Sequence, residues 1–146
     1  MNLMVVLDTN VIVSALWTPD GKAAYIVNQV IAGNIKLCHD YRILTEYRDV
    51  LSRPKFKFSV WQINFLLETF DKDGISVIPV SLPTVPFSDE SDRVFYEVAK
   101  FCSAPLVTGN LKHFPKDDYV MTVTDFYNQL VSACEPKIYN GTRNCF

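Results

Sequence analysis

The sequence lacks the short motifs that mark several common kinds of functional site. It has no CxxC pair or other zinc-ligand spacing, no P-loop and no GxGxxG fingerprint. It also has no internal repeat and no low-complexity segment. These absences count against a zinc protein, a P-loop nucleotide hydrolase, a dinucleotide-binding enzyme and a repeat protein.

The chain also lacks a strong positive charge and the residue patterns typical of a targeting segment. Its net charge is -2 and its pI is about 5.6, so composition alone does not indicate a nucleic-acid binder. A bound metal would add positive charge that residue counting misses, so such a partner is not excluded. The N-terminus carries neither a Lys/Arg leader nor a long apolar run, which predicts no signal peptide and no membrane association. Cys38 and Cys102 lie in apolar runs and read as buried thiols, so we expect a reducing cytoplasm.

The 146 residues are enough for one domain, and strands alternate with helices along it. This pattern predicts an α/β fold, a three-layer α/β/α sandwich around a mostly parallel sheet. We assign residues 1–135 to the domain and 136–146 to a C-terminal tail. The predicted strands are Leu3–Leu7, Ile35–Cys38, Ile75–Val80, Leu106–Thr108 and Tyr119–Val123. The predicted helices are Ala23–Ile31, Arg42–Ser52, Ser59–Phe70, Ser91–Phe101 and one capped by Thr124.

Four polar residues occupy matching places in this pattern. Asp8 directly follows the first strand, and Asn110 closely follows the fourth. Asp92 falls in the first turn of the preceding helix, and Glu46 lies at the border of the buried stripe of another helix. Because ligands of parallel sheets bind at the carboxyl ends of the strands, we expect these side chains to meet at that edge.

A cluster of carboxylates implies a cation. Two like charges 4 Å apart repel by about 4 kcal/mol at an effective dielectric of 20, and a bound cation removes that cost. Oxygen ligands favour Mg²⁺ or Mn²⁺ over zinc. Such an ion activates water and stabilises charge on a phosphate, which indicates phosphodiester cleavage, with RNA as the favoured substrate.

Each acidic residue also has a purely structural interpretation. Asp92 is favoured by the helix dipole alone, and Glu46 is placed to pair with Arg42 or Arg48 on its own helix. Asp8 is harder to explain in this way, because a carboxylate at the end of a buried strand needs partners. The order and the positions of the residues together therefore carry the hypothesis.

At these residues the sequence resembles the PIN-domain family, and it is similar to the VapC-type ribonuclease toxins of prokaryotic toxin–antitoxin pairs. The resemblance runs from Leu3 to Asp125 and no single motif in it is specific, whereas four in order are. The motifs are Val-Leu-Asp-Thr-Asn-Val at 6–11, Thr-Glu-Tyr-Arg-Asp-Val-Leu at 45–51, Asp-Glu-Ser-Asp at 89–92 and Leu-Val-Thr-Gly-Asn at 106–110.

The resemblance implies a ribonuclease that depends on Mg²⁺ or Mn²⁺, acts on RNA, forms a homodimer and is inhibited by an antitoxin protein. It implies catalytic and metal-binding roles for Asp8, Glu46 and Asp92, and a further metal contact through Asp89. Asn110 is the remaining candidate ligand. Groups implied to support the ligands or contact phosphate are Thr9, Asn10 and Thr108.

One position departs from the pattern. Many relatives carry a fourth acid where this chain has Asn110, whose amide oxygen can ligate but brings no charge. Asp117 or Asp118 is an alternative source of that charge. A catalytically weakened domain that binds RNA or a protein therefore stays open. A metal-dependent phosphatase is the other alternative, although Asn10 stands where an aspartyl-nucleophile phosphatase would normally carry a second Asp.

Two groups of basic residues are candidates for RNA contact. Arg53, Lys55 and Lys57 alternate with Phe56 and Phe58, an arrangement that suits phosphates and unstacked bases. The alternative is a solvated loop held by two core phenylalanines, and it is slightly favoured because such phenylalanines are common. The second group, Lys112 and His113, follows the proposed pocket directly and would steer phosphate, or simply lie at the surface.

Overall fold

The structure, a computed structural model, describes residues 3–133. The tail predicted for residues 136–146 lies outside this range. The strands are β1 (Leu3–Leu7), β2 (Ile35–His39), β3 (Ile75–Ser76), β4 (Leu106–Thr108) and β5 (Val120–Thr122). The helices are α1 (Thr9–Trp17), α2 (Lys22–Ile31), α3 (Tyr41–Leu51), α4 (Val60–Asp73), α5 (Glu90–Cys102) and α6 (Val123–Ala133). Single turns of 3-10 helix cover Pro54–Phe56 and Leu111–His113.

The five strands form one sheet in the order β3-β2-β1-β4-β5, and every neighbouring pair is parallel. β1 is the central strand, with Leu3 opposite Ile35 of β2 and Val6 opposite Leu106 of β4. Val5 and Val6 are fully buried although they point to opposite faces, because helices cover both sides of the sheet. The predicted three-layer α/β/α fold is confirmed.

The path of the chain explains the layers. The connections from β1 to β2 and from β2 to β3 step in one direction, and the connection from β3 to β4 returns past β1 in the other. Since such crossovers are right-handed, the returning helix α5 lies on the opposite face from the earlier helices. The direction reverses between β1 and β4, so the switch point of the sheet lies beside the end of β1.

Acidic caps start three of the helices close to this edge. Asp8 precedes α1, and its carboxylate accepts a hydrogen bond from the N–H of Thr9. Asp40 caps α3 through the N–H of Ile43, and Asp89 caps α5 through the N–H of Ser91. Each cap satisfies a backbone donor that the first helical turn leaves free. The caps therefore fix where α1, α3 and α5 begin, and with them the side chains of their first turns.

Three elements differ from the sequence-based predictions. Residues 9–17 form a helix that was predicted only as a short apolar segment, because tertiary packing overrides the weak helix preference of Val11, Ile12 and Val13. β3 ends at Ser76 instead of Val80, and Ile78 beyond it is 92% exposed. The predicted cap at Thr124 is wrong.

The last helix begins two residues earlier than a cap at Thr124 implies, at Val123. The hydroxyl of Thr122 accepts a hydrogen bond from the N–H of Asp125 and so occupies the capping position. Among residues 3–133, no helix combines the length and the apolar character needed to cross a membrane.

Candidate active site

Asp8 is held at the carboxyl end of the central strand by two hydrogen bonds. Its Oδ1 accepts from the Thr9 N–H at 2.8 Å, and its Oδ2 accepts from the Thr108 hydroxyl at 2.7 Å. Burial raises the pKa of this carboxyl, and the hydrogen bonds from Thr108 and Thr9 oppose the rise. The partners that a carboxylate in this position needs are thus present, and one of them comes from the far side of the switch point.

Asp92 lies in the first turn of α5, and only 12% of its side chain is exposed. Its Oδ2 is buried and accepts no hydrogen bond from the residues that the structure describes. Nδ1 of His113 lies 3.4 Å from the same oxygen. Burial raises the pKa of Asp92 to about 6, with further contributions from the charges of Asp8 and Asp89. A buried carboxylate oxygen without a donor is ready to bind a cation.

Glu46 lies on the second turn of α3 and is half-buried. Burial is the main cause of the raised pKa of Glu46, and the charges of Asp49, Asp89 and Asp8 raise it further. Among the described residues no Lys or Arg lies within ion-pair distance of this carboxylate. Glu46 therefore faces other acids across the edge of the sheet.

The structural alternative for Glu46 required Arg42 or Arg48 as its partner, and both guanidinium groups bind elsewhere. Arg42 donates to Asp40 and, at 2.8 Å, to Glu97 of α5. Arg48 donates to the side chain of Asn64 on α4. Local ion pairing within α3 therefore does not account for Glu46.

Asp89 is exposed and engaged in capping. Its Oδ1 accepts from both the N–H and the hydroxyl of Ser91, and these bonds lower its pKa. Its charge still contributes to the raised pKa values of Asp8, Glu46 and Asp92. The structure thus places the four acids named from the sequence close enough to influence one another.

A second set of polar groups joins α1 to the loop after β4. The Thr108 hydroxyl that donates to Asp8 also accepts from the Asn110 N–H at 2.9 Å. Oδ1 of Asn10 accepts from the Gly109 N–H at 3.2 Å, so Asn10 holds this loop. The Thr9 hydroxyl is buried without a hydrogen-bond partner among the described residues.

The structure also shows where Asn110 lies, at the position of the fourth acid, and where the alternatives Asp117 and Asp118 lie. Asn110 is exposed, and its side chain makes no hydrogen bond to the described part of the chain. Asp117 accepts a hydrogen bond from the Tyr96 hydroxyl and influences the pKa of Tyr96 and Tyr119. Neither Asp117 nor Asp118 contributes to the shifts of the edge carboxylates, so the structure does not bring them into the cluster.

Two buried groups that sequence reasoning missed hold the edge in place. The Tyr47 hydroxyl, which is fully buried, donates to the carbonyl of Leu7 at 2.5 Å, just before Asp8. Glu97 is 1% exposed and accepts from Arg42 and from the Leu82 N–H. The sequence offered one signal for Glu97, because it is a charged residue within the apolar stripe of α5.

The bond between Arg42 and Glu97 has a geometric consequence. Arg42 lies one turn before Glu46 on α3, and Glu97 lies on α5, the helix that begins with Asp92. The ion pair therefore links the two helices that carry candidate ligands, and most of it is shielded from solvent.

The predicted basic residues lie in two places. Lys112 and His113 belong to the 3-10 turn after Asn110, where His113 approaches Asp92. Arg53, Lys55 and Lys57 surround the 3-10 turn after α3 and are all exposed. Only Arg53 among these three affects a candidate ligand, since its charge opposes the raised pKa of Glu46.

The donor chemistry fits a hard divalent cation. Within residues 3–133, no three His, Cys, Asp or Glu side chains are already close enough to hold one ion. The available donors are carboxylate oxygens, with no thiolate among them, and this favours Mg²⁺ or Mn²⁺. The Oδ2 of Asp92, which accepts no hydrogen bond from the described residues, and the raised pKa values of Asp8 and Glu46 are the features that a cation would relieve.

Comparison with known proteins agrees with this geometry. A family model described as the PIN domain matches residues 4–112, a span that includes Asp8, Glu46, Asp92 and Asn110. No curated protein matches the sequence. PIN domains are typically metal-dependent nucleases, and the matched span is well over half of the chain. The chain therefore belongs to the PIN-domain family.

Proposed function

We propose that this protein is an endoribonuclease that depends on Mg²⁺ or Mn²⁺ and cleaves RNA phosphodiesters by hydrolysis. One observation carries the proposal: the buried Oδ2 of Asp92, which accepts no hydrogen bond from the described residues and has Nδ1 of His113 3.4 Å away, lies among the charges of Asp8, Asp89 and Glu46 at the switch point of the sheet. Such a concentration of carboxylates is costly without a cation. Its place at the carboxyl edge is where parallel sheets bind ligands.

The residues take distinct roles in this proposal. Asp8, Glu46 and Asp92 would hold the ion, Asp89 would reach it through a water, and Asn110 would supply a neutral oxygen. The bound ion lowers the pKa of water and stabilises charge on the phosphate. Thr108 fixes the Asp8 carboxylate through its 2.7 Å hydrogen bond, so that the other oxygen lone pairs keep their direction.

The basic turn after Asn110 supports the same chemistry. His113 lies within 3.4 Å of Asp92, and Lys112 is its exposed neighbour. Both would attract the negatively charged backbone of RNA to an edge that is otherwise acidic. Thr9 and Asn10 lie at the start of α1, where the helix dipole also favours a phosphate.

A toxin role is the finer part of the proposal. The four ordered motifs that resemble ribonuclease toxins support it, and with it an antitoxin partner, a homodimer and action in the cytoplasm. Expression of the protein in a bacterial host should stop growth, and Asp8→Asn should grow normally. Normal growth with soluble, nuclease-active wild-type protein would argue against the toxin role while leaving the nuclease proposal intact.

The direct test is cleavage of an end-labelled structured RNA by purified protein in Mn²⁺ or in EDTA. We expect cleavage only with the metal, and loss of cleavage in Asp8→Asn and Asp92→Asn. Asp20→Asn is the matched control, because Asp20 is exposed beyond the far end of α1. Full activity in both site variants, or full activity in EDTA, would contradict the proposal.

Asn110 supports a second candidate function, a weakened domain that binds RNA or a protein. The side chain brings no charge to a position where many relatives carry an acid. If this candidate is correct, Asn110→Asp should create or strongly increase Mn²⁺-dependent cleavage. Turnover of a chromogenic phosphate monoester without RNA cleavage would instead select the phosphatase.

A further inference from the structure

The ends of α1 and α3 meet in an exposed basic and aromatic surface, which we call the Trp17 patch. Its members are Trp17, Arg53, Lys55, Phe56, Lys57 and Phe58. The ring centroids of Trp17 and Phe56 are 5.1 Å apart in an edge-to-face arrangement. Phe56 and Phe58 stack with centroids 5.6 Å apart and planes 8° from parallel.

This aromatic cluster lies at the margin of the core, with two rings packed against it and one exposed. Trp17 is 59% exposed, and Phe56 and Phe58 are only half-buried. A single apolar ring at the surface is common, whereas a contiguous patch of several rings often marks a binding site. Phe56 and Phe58 pack against the core from partly buried positions, close to the sequence-based preference, whereas Trp17 presents most of its ring to solvent.

The same surface carries a concentrated positive charge. Arg53, Lys55 and Lys57 are all exposed and fall within five residues of one another, in a chain whose net charge is -2. Lys55 places its ammonium 5.0 Å from the centre of the Phe56 ring. The only acid paired with the patch among the described residues is Asp49, which lies 3.5 Å from Arg53 in an exposed and therefore weak contact.

The patch lies two to three helical turns from the candidate active site along α1 and α3. α1 begins beside Asp8 and ends at Trp17, roughly 13 Å away at 1.5 Å per residue. Arg53 follows α3 about two turns after Glu46, roughly 11 Å away at 1.5 Å per residue. A strand of RNA could therefore reach both places, since roughly 13 Å equals about four nucleotides at a stacked spacing of roughly 3.4 Å.

We propose that the Trp17 patch is an RNA-binding subsite that takes unpaired nucleotides a few positions from the scissile phosphate. Trp17 stacks on a base, and Arg53, Lys55 and Lys57 contact the phosphates on either side. A base inside a duplex has no free face for such stacking, so the enzyme binds single-stranded segments in preference to helices. This inference rests on RNA being the substrate, but binding to the patch needs no metal and no catalysis.

The chain offers a matched pair of reporters, because its two tryptophans are both exposed. Trp61 is 77% exposed and stacks with Phe65 on α4, outside the patch. The variant Trp61→Phe leaves Trp17 as the only tryptophan, and Trp17→Phe leaves Trp61. Each is titrated in EDTA with a 12-nucleotide oligouridine and with a duplex of the same length.

We expect the single-stranded RNA to quench the fluorescence of Trp17 to saturation and to leave that of Trp61 nearly unchanged. The duplex should bind more weakly. Trp17→Ala should raise the Kd for oligouridine roughly fivefold or more, the loss typical of one base–aromatic contact. Lys55→Gln and Lys57→Gln should each reduce the slope of log K against log salt by about 0.7.

Several results would overturn the inference. An unchanged Trp17 signal with bound RNA would place the RNA on another surface. If Trp17→Ala keeps the RNA affinity but dissociates a dimer in sedimentation, the patch is a contact between copies of this chain. Absence of any RNA binding in EDTA also refutes the subsite, whereas the proposed nuclease activity is decided separately by cleavage in Mn²⁺.

Discussion

Replacement of Asp92 by Asn should stabilise the metal-free protein while it abolishes cleavage. The carboxylate is 12% exposed, one of its oxygens has no hydrogen-bond partner among the described residues, and other acids surround it. Asn removes the charge but keeps the shape. Residues selected for a reaction often lower stability in this way.

The size of the effect follows from the pKa of Asp92. A rise from 3.8 to about 6 is equivalent to about 3 kcal/mol at neutral pH. Because the side chain keeps some contact with solvent and the amide must find its own hydrogen bonds, we expect a gain of about 1–2 kcal/mol. For a chain of this length, that gain corresponds to a rise of roughly 3–6 °C in Tm.

The pH dependence of stability provides a separate test of the direction of this effect. The folded pKa of Asp92 is above its unfolded value, so the folded state holds the extra proton between pH 3.8 and about 6. The contribution of this group to stability is therefore greatest below pH 3.8 and is lost as pH rises through 6. The advantage of Asp92→Asn should be full at pH 7.5 and should disappear near pH 4.

Urea unfolding in EDTA at pH 7.5, 5.5 and 4 measures these differences, and a second series in Mn²⁺ measures the effect of metal. Mn²⁺ at 100 times its Kd should stabilise the wild type by about 2.7 kcal/mol, and the same concentration should stabilise the variant by less. Glu90→Gln is the control, because Glu90 is an exposed acid of the same helical turn paired with Arg93. It should give a small loss instead of a gain.

A loss of stability of 1 kcal/mol or more in Asp92→Asn at pH 7.5 would refute the reasoning. It would show that Asp92 serves chiefly to stabilise the start of α5. The structure argues against this, because Asp89 already caps that helix.

Three further predictions concern the surroundings of the site and the core. Thr108→Val should cost about 1–3 kcal/mol in urea unfolding and reduce cleavage, because Asp8 loses a buried donor, and Thr108→Ser should retain both properties. Gly74→Ala should destabilise by about 1–3 kcal/mol in the same assay, because the added Cβ would lie 2.5 Å from the carbonyl oxygen of Phe70; wild-type stability would contradict this. Burial lowers the pKa of His39 below its usual value of 6.5. The contribution of His39 to stability is therefore lost as the pH falls below 6.5. The difference in the free energy of unfolding between wild type and His39→Gln should narrow from pH 7.5 to 5.5.

The sequence allowed the sheet and the edge to be predicted wherever a local pattern reports on burial. The apolar run before Asp8 predicted β1, and the alternation of strands and helices predicted a parallel sheet. Residues 9–17 were harder, because β-branched residues are typical of strands and the helix there depends on packing against the rest of the fold. Pro79 was tolerated in the predicted third strand, but the chain leaves the sheet before reaching it.

The partners of the site residues could not be predicted from sequence, because they are distant along the chain. Arg42 is four residues from Glu46 and was weighed as its partner, yet it binds Glu97, 55 residues away. The approach of His113 to Asp92 likewise depends on how the loop after β4 lies over α5. Spacing along one helix describes which contacts are available, whereas the packing of two helices decides between them.

The hydrogen bond between Thr108 and Asp8 joins residues 100 positions apart. A ribosome that has made only the first half of the chain therefore carries β1 and Asp8 without β4, the strand that pairs with β1 and contains Thr108. Asp92 and α5 also emerge late, so the candidate active site cannot assemble on a short nascent chain. If the proposed ribonuclease activity is correct, we expect truncated products to be harmless to cellular RNA, because the order of synthesis delays assembly of the site until most of the domain has been made.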